Sequence, residues 1–115
     1  ALGGRLDHTL ANLSTLHAYR HLNIALVGEG NLVRLVRAGR ACIRTAPRAV
    51  EGPMCGLIPL CGPATATSTG LRWNLAATRM AVGGLISACN VLEAREVCVE
   101  ADTDLVWTTQ AAALS

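Results

Sequence analysis

The chain has 115 residues and a formal net charge of +2, with 51% hydrophobic, 16% charged and 3% aromatic residues. This length suits one domain and is short for two. A charged share well below the average of about 25%, beside so high an apolar share, excludes intrinsic disorder.

The pattern predicts a helix over residues 7–22. Asp7 is suited to its N-cap, because a carboxylate accepts orphan N–H groups of the first turn. Leu10, Leu13, Leu16 and Leu22, with Ala11 and Ala18, form an apolar face at roughly helical spacing. Asn23 suits the exit. Beyond it the period shortens. Residues 23–27, 32–36 and 40–45 read as three short strands about eight residues apart, which suggests hairpins, and Pro47 closes the third. Gly28-Glu29-Gly30-Asn31 is a turn signal. A fourth strand spans 54–60, where Pro59 points to a sheet edge or a bulge. Further strands are expected at 64–69, 85–89, 96–101 and 105–108, and 110–115 is expected to be a frayed, flexible tail. The fold class is therefore mainly β, α+β overall. One N-terminal helix precedes a β-sandwich or open barrel of about eight or nine short strands.

All ten Lys or Arg positions are Arg. The densest run, Arg34, Arg37, Arg40, Arg44 and Arg48, falls on strands and turns with no aromatics interleaved to stack bases. This argues against nucleic-acid binding. No run of eighteen apolar residues and no basic-then-apolar leader is present, so neither a membrane span nor a signal segment is expected. The five cysteines are odd in number and lack a CxxC pair. A disulfide framework or zinc site is not expected, and a reducing, cytoplasmic setting follows. His17 and His21, four apart on one helix face, read as a surface pair because no third metal ligand accompanies them. The start Ala-Leu-Gly-Gly-Arg has neither Met nor a lead-in strand, which suggests part of a longer polypeptide.

Three segments could carry chemistry. Gly3-Gly4-Arg5-Leu6-Asp7-His8 opens the helix. Its glycines permit close backbone approach, Arg5 could fork onto phosphate, and Asp7 could hold Mg²⁺. The same residues also make an ordinary capped helix start. Thr65 to Leu75 places hydroxyls, Arg72 and Trp73 together. It is either a strand's polar face with a core Trp, or a flat ring that stacks a heteroaromatic ligand. In Gly83-Gly84-Leu85-Ile86-Ser87-Ala88-Cys89-Asn90, Ser87 and Asn90 either bind a polar ring or finish a turn. Cys89 has no nearby His to activate it as a nucleophile.

In order, these segments resemble the thiamine pyrophosphokinase family. Gly3 to His8 is similar to its Gly-Gly-Arg-x-Asp-His segment, and Cys55 to Leu60 to its Cys/Gly-Leu-Ile-Pro-Leu strand. Ser68 to Leu75 is similar to its Thr-Thr-Gly-Leu-Lys/Arg-Trp-x-Leu segment, and Gly83 to Asn90 to its Gly-Gly-Leu-Ile-Ser-x-Ser-Asn segment. A strand like Asp102 to Trp107 ends it. Ser68 stands for a Thr, Arg72 keeps the charge of Lys, and Cys89 replaces the second Ser. The family's upstream acidic residues and nucleotide-binding strands are not in this chain.

The resemblance implies a diphosphate transfer from ATP to the thiamine hydroxyl, with Mg²⁺, in a homodimer that binds thiamine between subunits. Residues 1–38 would be the end of an α/β ATP-binding domain, 39–109 a β-sandwich thiamine-binding domain, and 110–115 a tail. Asp7 would act with Mg²⁺, and Arg5, Gly3 and Gly4 would hold phosphate. Trp73, Thr69, Ser87 and Asn90 would bind thiamine. The chain alone is expected to be inactive without its α/β half. The alternative is a non-catalytic β module that dimerises or binds thiamine compounds.

Overall fold

The computed structural model describes residues 5–22, 24–28, 30–44 and 54–110. Helix α1 (Leu6–Ala18) is followed by nine strands: β1 (Ala25–Gly28), β2 (Asn31–Val36), β3 (Gly39–Arg44), β4 (Met54–Ile58), β5 (Ala64–Thr69), β6 (Thr78–Met80), β7 (Ser87–Val91), β8 (Glu96–Ala101) and β9 (Leu105–Gln110). They form two antiparallel sheets. One has the order β1-β2-β9-β4-β7 and the other β3-β8-β5-β6, and neither closes into a barrel.

Strand periodicity explains the layering, because alternate side chains leave a strand on opposite faces. In β9, Leu105 and Trp107 are fully buried in the main core, with Leu57, Ala64, Met80, Val97 and Val99. Val106, between them, joins a separate cluster with Leu16 of α1 and Val33 of β2. The five-stranded sheet is thus covered by the second sheet on one face and by α1 on the other.

Several expectations need correction. The helix starts at Leu6, with Arg5 in the N-cap position and no side-chain cap. Asp7 lies inside the first turn. Its Oδ2 is bound by the Arg5 guanidinium, and its Oδ1 accepts the neighbouring His8 N–H at 2.9 Å. The helix ends at Ala18 rather than Leu22, because the chain tightens into turns (Arg20 N–H to His17 C=O, 3.2 Å; Leu22 N–H to Tyr19 C=O, 2.9 Å). The first three strands do not form consecutive hairpins. β1 and β2 pair, but β3 crosses to the other sheet and pairs with β8. Gly39, at φ +99°, begins that strand in a conformation that favours glycine.

β4 is an interior strand, flanked by β9 and β7. Pro59 follows its last residue, where it breaks no ladder bond, and the irregularity lies earlier, between Cys55 and Leu57. β7 begins at Ser87, two residues later than expected, because Leu85 and Ile86 remain exposed in the preceding turn. β6 was not foreseen. Its three residues are too few to show a period, and pairing with β5 defines it.

Cysteine count and spacing argued against a disulfide, yet Cys42 and Cys98 are joined across 56 residues. They are directly opposed in the β3–β8 register, a relationship that spacing along the chain does not report. Gly3, Gly4, Asn23, Pro47, Arg48 and the tail beyond residue 110 lie outside the described residues.

Candidate functional site

Trp73 lies on the connection between β5 and β6 and is 59% exposed, in contrast to the fully buried Trp107. A tryptophan so placed costs apolar hydration and gains no core packing, so its position needs a cause. The connection is closed at its base by Ser68 and Leu75. The Leu75 N–H donates to Ser68 Oγ at 2.8 Å, and the Ser68 N–H donates to the Leu75 carbonyl at 2.9 Å. Asn74 tightens the turn, with its Oδ1 accepting the Leu71 N–H at 3.0 Å.

The connection is also tied to the segment between β7 and β8. Leu71 bridges Leu92, the Arg72 N–H donates to the Val91 carbonyl, and the Glu93 N–H donates to the Gly70 carbonyl, both at 2.9 Å. Gly70 has φ +90°, and a Cβ there would collide with the Glu96 carbonyl oxygen.

Asn90 completes the arrangement from β7. It is almost wholly buried, at 3% exposure. Its Oδ1 accepts the Trp73 N–H at 3.2 Å, and its Nδ2 donates to the Trp73 carbonyl at 2.9 Å and to Ser87 Oγ at 3.1 Å. A buried amide leaves no partner idle when both its ends are engaged. Beside the ring, the Arg72 guanidinium carbon is 5.5 Å from the Trp73 centroid, and Arg72 Nε donates to Glu93 Oε1 at 2.8 Å. Arg72 therefore lies against the indole with its charge partly balanced.

Of the expected site residues, Asn90 contacts both Trp73 and Ser87 directly. Thr69 ends β5 next to Gly70, opposite Cys98, and its exposed hydroxyl has no protein partner among the described residues. Arg5 and Asp7 pair with each other at the exposed start of α1. Asp7 is not part of any group of three potential metal ligands among the described residues. As the fold presents it, Asp7 alone does not compose a magnesium site. The contributions of Ser68, Asn74 and Glu93 escaped sequence reasoning. Ser68 and Asn74 lay within the segment that resembles the family motif but were given no role there, and Glu93 had no signal.

Two apolar grooves flank α1 on the outer face of the five-stranded sheet. One, of about 310 Å³, lies between Leu10, Leu13 and His17 on one side and Leu35, Leu60 and Cys61 on the other. The second, about 250 Å³, runs over Val33, Ile58 and Val106. Leu6, Leu10 and Leu60 are exposed nearby.

The fold and the braced indole define a two-sheet β module with a presented aromatic ring. Residues 40–106 match the family described as thiamin pyrophosphokinase, vitamin B1 binding domain. The chain belongs to the thiamine pyrophosphokinase family. It is 42% identical over 109 residues to thiamine pyrophosphokinase 1 of Oryza sativa subsp. japonica, covering 94% of this chain and 41% of the relative. It is 41% identical over 109 residues to thiamine pyrophosphokinase 1 of Arabidopsis thaliana, with the same coverage. The structure of thiamin pyrophosphokinase from Candida albicans superposes with a TM-score of 0.86 at 22% identity, covering 96% of this chain and 42% of that one. The chain thus spans about two fifths of the length of these relatives.

Proposed function

We propose that this chain supplies the thiamine-binding part of a thiamine diphosphokinase, which transfers diphosphate from ATP to the thiamine hydroxyl. In this reading residues 1–38 end an α/β ATP-binding domain, 39–109 form the thiamine-binding sandwich, and 110–115 are a tail. The observation that carries the reading is the two-sided hold of Asn90 on the Trp73 main chain, within the family-matched segment. It presents an indole at fixed height and lets solvent or a ligand reach it. A flat, cationic heteroaromatic such as thiamine gains from stacking on such a ring. Glu93 offsets the charge of Arg72, so a ligand cation is not simply repelled. Thr69 supplies an unpaired hydroxyl, while Ser87 and Asn90 brace the floor.

The diphosphate transfer belongs to the whole enzyme, working with Mg²⁺ and ATP, in a homodimer and in the cytoplasm. Positioning and charge neutralisation carry such transfers. Arg5 with Gly3 and Gly4 is assigned to phosphate, and Asp7 to an acidic cluster completed by residues of the α/β half.

Fluorescence titration tests the binding role. Trp107 is fully buried, so quenching by thiamine reports on Trp73. Saturable quenching that disappears in Trp73→Phe is expected. Undiminished quenching in that variant, or none at millimolar thiamine in the native chain, would remove the assignment.

A further inference from the structure

We propose that Cys42, Cys98 and Glu96 form a redox-gated site for a soft divalent metal of the zinc class. The site is closed while the disulfide stands and created when a dithiol reduces it.

The β3–β8 register stacks three rungs: Arg40 opposite Glu100, Cys42 opposite Cys98, and Arg44 opposite Glu96. Residues two apart on a strand share a face, so all three rungs project from the same side. The intervening Ile43, Val97 and Val99 face the core. The cysteines therefore lie on the solvent side of the sheet. Cys42 is exposed at the wall of an open cleft of about 800 Å³, which Glu96 and Arg44 also line.

The sulfur–oxygen spacing fits a tetrahedral ion, and reduction of the Cys42–Cys98 bond lets the sulfurs part to about 3.8 Å, the separation that two thiolates on one such ion need. The Cys42 and Cys98 sulfurs and a Glu96 oxygen all lie within 4.8 Å of one another. Cys98 Sγ is 3.8 Å from Glu96 Oε1. Metal–sulfur bonds of about 2.3 Å and metal–oxygen bonds of about 2.1 Å at a tetrahedral angle separate sulfur from oxygen by about 3.6 Å. The other carboxylate oxygen, Oε2, is 3.5 Å from Arg44 Nε, which turns Oε1 towards the thiols. Two thiolates and one carboxylate carry three negative charges. The dication and the Arg44 guanidinium together balance them. A fourth position opens to water, as in three-ligand zinc sites.

The chemistry is balanced in two steps. A dithiol gives two electrons and two protons to the Cys42–Cys98 bond and becomes a disulfide, leaving two cysteine thiols. The metal ion then displaces those two protons and binds both thiolates. A small-molecule disulfide takes two electrons back from the two thiolates and, with two protons, becomes a dithiol; the Cys42–Cys98 bond re-forms and the ion is released.

Cobalt(II) is the probe, because thiolate ligation gives it an intense near-ultraviolet charge-transfer band. The full 115-residue chain is used, with Cys61→Ser and Cys89→Ser removing two unrelated thiols. The reduced chain is expected to bind one cobalt with that band, and the air-oxidised chain none. Zinc should displace the cobalt. Cys42→Ser should abolish the band. Arg44→Ala should weaken binding about tenfold, as loss of a residue that orients a ligand does. Glu96→Gln should weaken it further. Comparing oxidised with reduced chain needs no variant at the site, so a folding defect does not obscure the result. Cobalt binding that is equal in both redox states, absent in both, or retained in Cys42→Ser overturns the proposal. So does a thiol titration of the air-oxidised chain that finds Cys42 and Cys98 free.

Discussion

Asn90 grips Trp73 by the main chain: its Oδ1 takes the Trp73 N–H at 3.2 Å and its Nδ2 gives a proton to the Trp73 carbonyl at 2.9 Å. The ring is 59% exposed and lies beside Arg72, so its placement depends strongly on this clamp. Asn90→Ala should therefore cost about 1–3 kcal/mol, the penalty for stranding partly buried polar groups. Urea denaturation measures it. Asn90→Asp keeps an acceptor for the Trp73 N–H but loses both donations from Nδ2, and should also weaken thiamine quenching. Unchanged stability in both variants would show that the clamp is incidental.

Gly70 is a second pivot. Its φ of +90° and the absence of room beside the Glu96 carbonyl leave no space for a side chain. Gly70→Ala should destabilise the chain by about 1–3 kcal/mol. The denaturation midpoint should fall while the m-value stays unchanged, since the surface exposed on unfolding is the same.

Asp102 links the fold to pH. The Thr65 N–H donates to its Oδ1 at 2.8 Å, and this hydrogen bond, aided by the Thr103 hydroxyl at 3.2 Å, holds its carboxyl below the ordinary carboxylate value. A depressed folded-state pKa means stability that is present above the unfolded value of about 3.9 and lost as the pH falls through the folded value. Thermal melts between neutral pH and pH 3 should show this loss. Asp102→Asn should flatten the acid limb below about pH 4 and leave the pH dependence near neutral pH as it is in the native chain. An unchanged slope in the variant would assign the acid loss elsewhere.

The three free cysteines should differ in reactivity. Cys55 is buried, and desolvation pushes its thiol up to about 11. Burial also raises the Cys61 thiol, followed by the nearby Asp104 charge, while Cys89 is exposed. The thiolate is the reactive form. Timed alkylation read by peptide mass spectrometry should label Cys89 first and Cys55 only on unfolding.

The apolar grooves beside α1 lead to a prediction about the chain on its own. Exposed Leu6, Leu10 and Leu60 form a patch of the kind that drives association. The isolated 115-residue chain should self-associate as concentration rises and should make no thiamine diphosphate from ATP, Mg²⁺ and thiamine. A monodisperse monomer in light scattering would remove the first expectation, and product above background in mass spectrometry the second.

Much of this was legible in the residues. Alternation at Val97, Val99 and Ala101 identified β8 to the residue, because an amphipathic strand displays its two faces with a period of two. The strand at 64–69 was equally plain. Helical spacing of leucines located α1, but not its ends, since the Asp7 carboxylate is engaged by the Arg5 guanidinium and the His8 N–H inside the first turn instead of capping it from outside. At the candidate site, Trp73, Ser87 and Asn90 were each visible as polar or aromatic residues near glycines. Their contact was not, because 17 residues separate Trp73 from Asn90 and only the packing of the β5–β6 connection on β7 joins them.

The sequence by itself determined the mainly β class, the N-terminal helix and most of the strands, because composition and local periodicity are properties of neighbouring residues. It also carried the ordered motifs that resemble one family. Tertiary structure alone decided which sheet each strand joined, that Asn90 serves Trp73, and that Cys42 faces Cys98. Those outcomes depend on register between segments far apart in the chain, and register is set by burying one face of every strand at once.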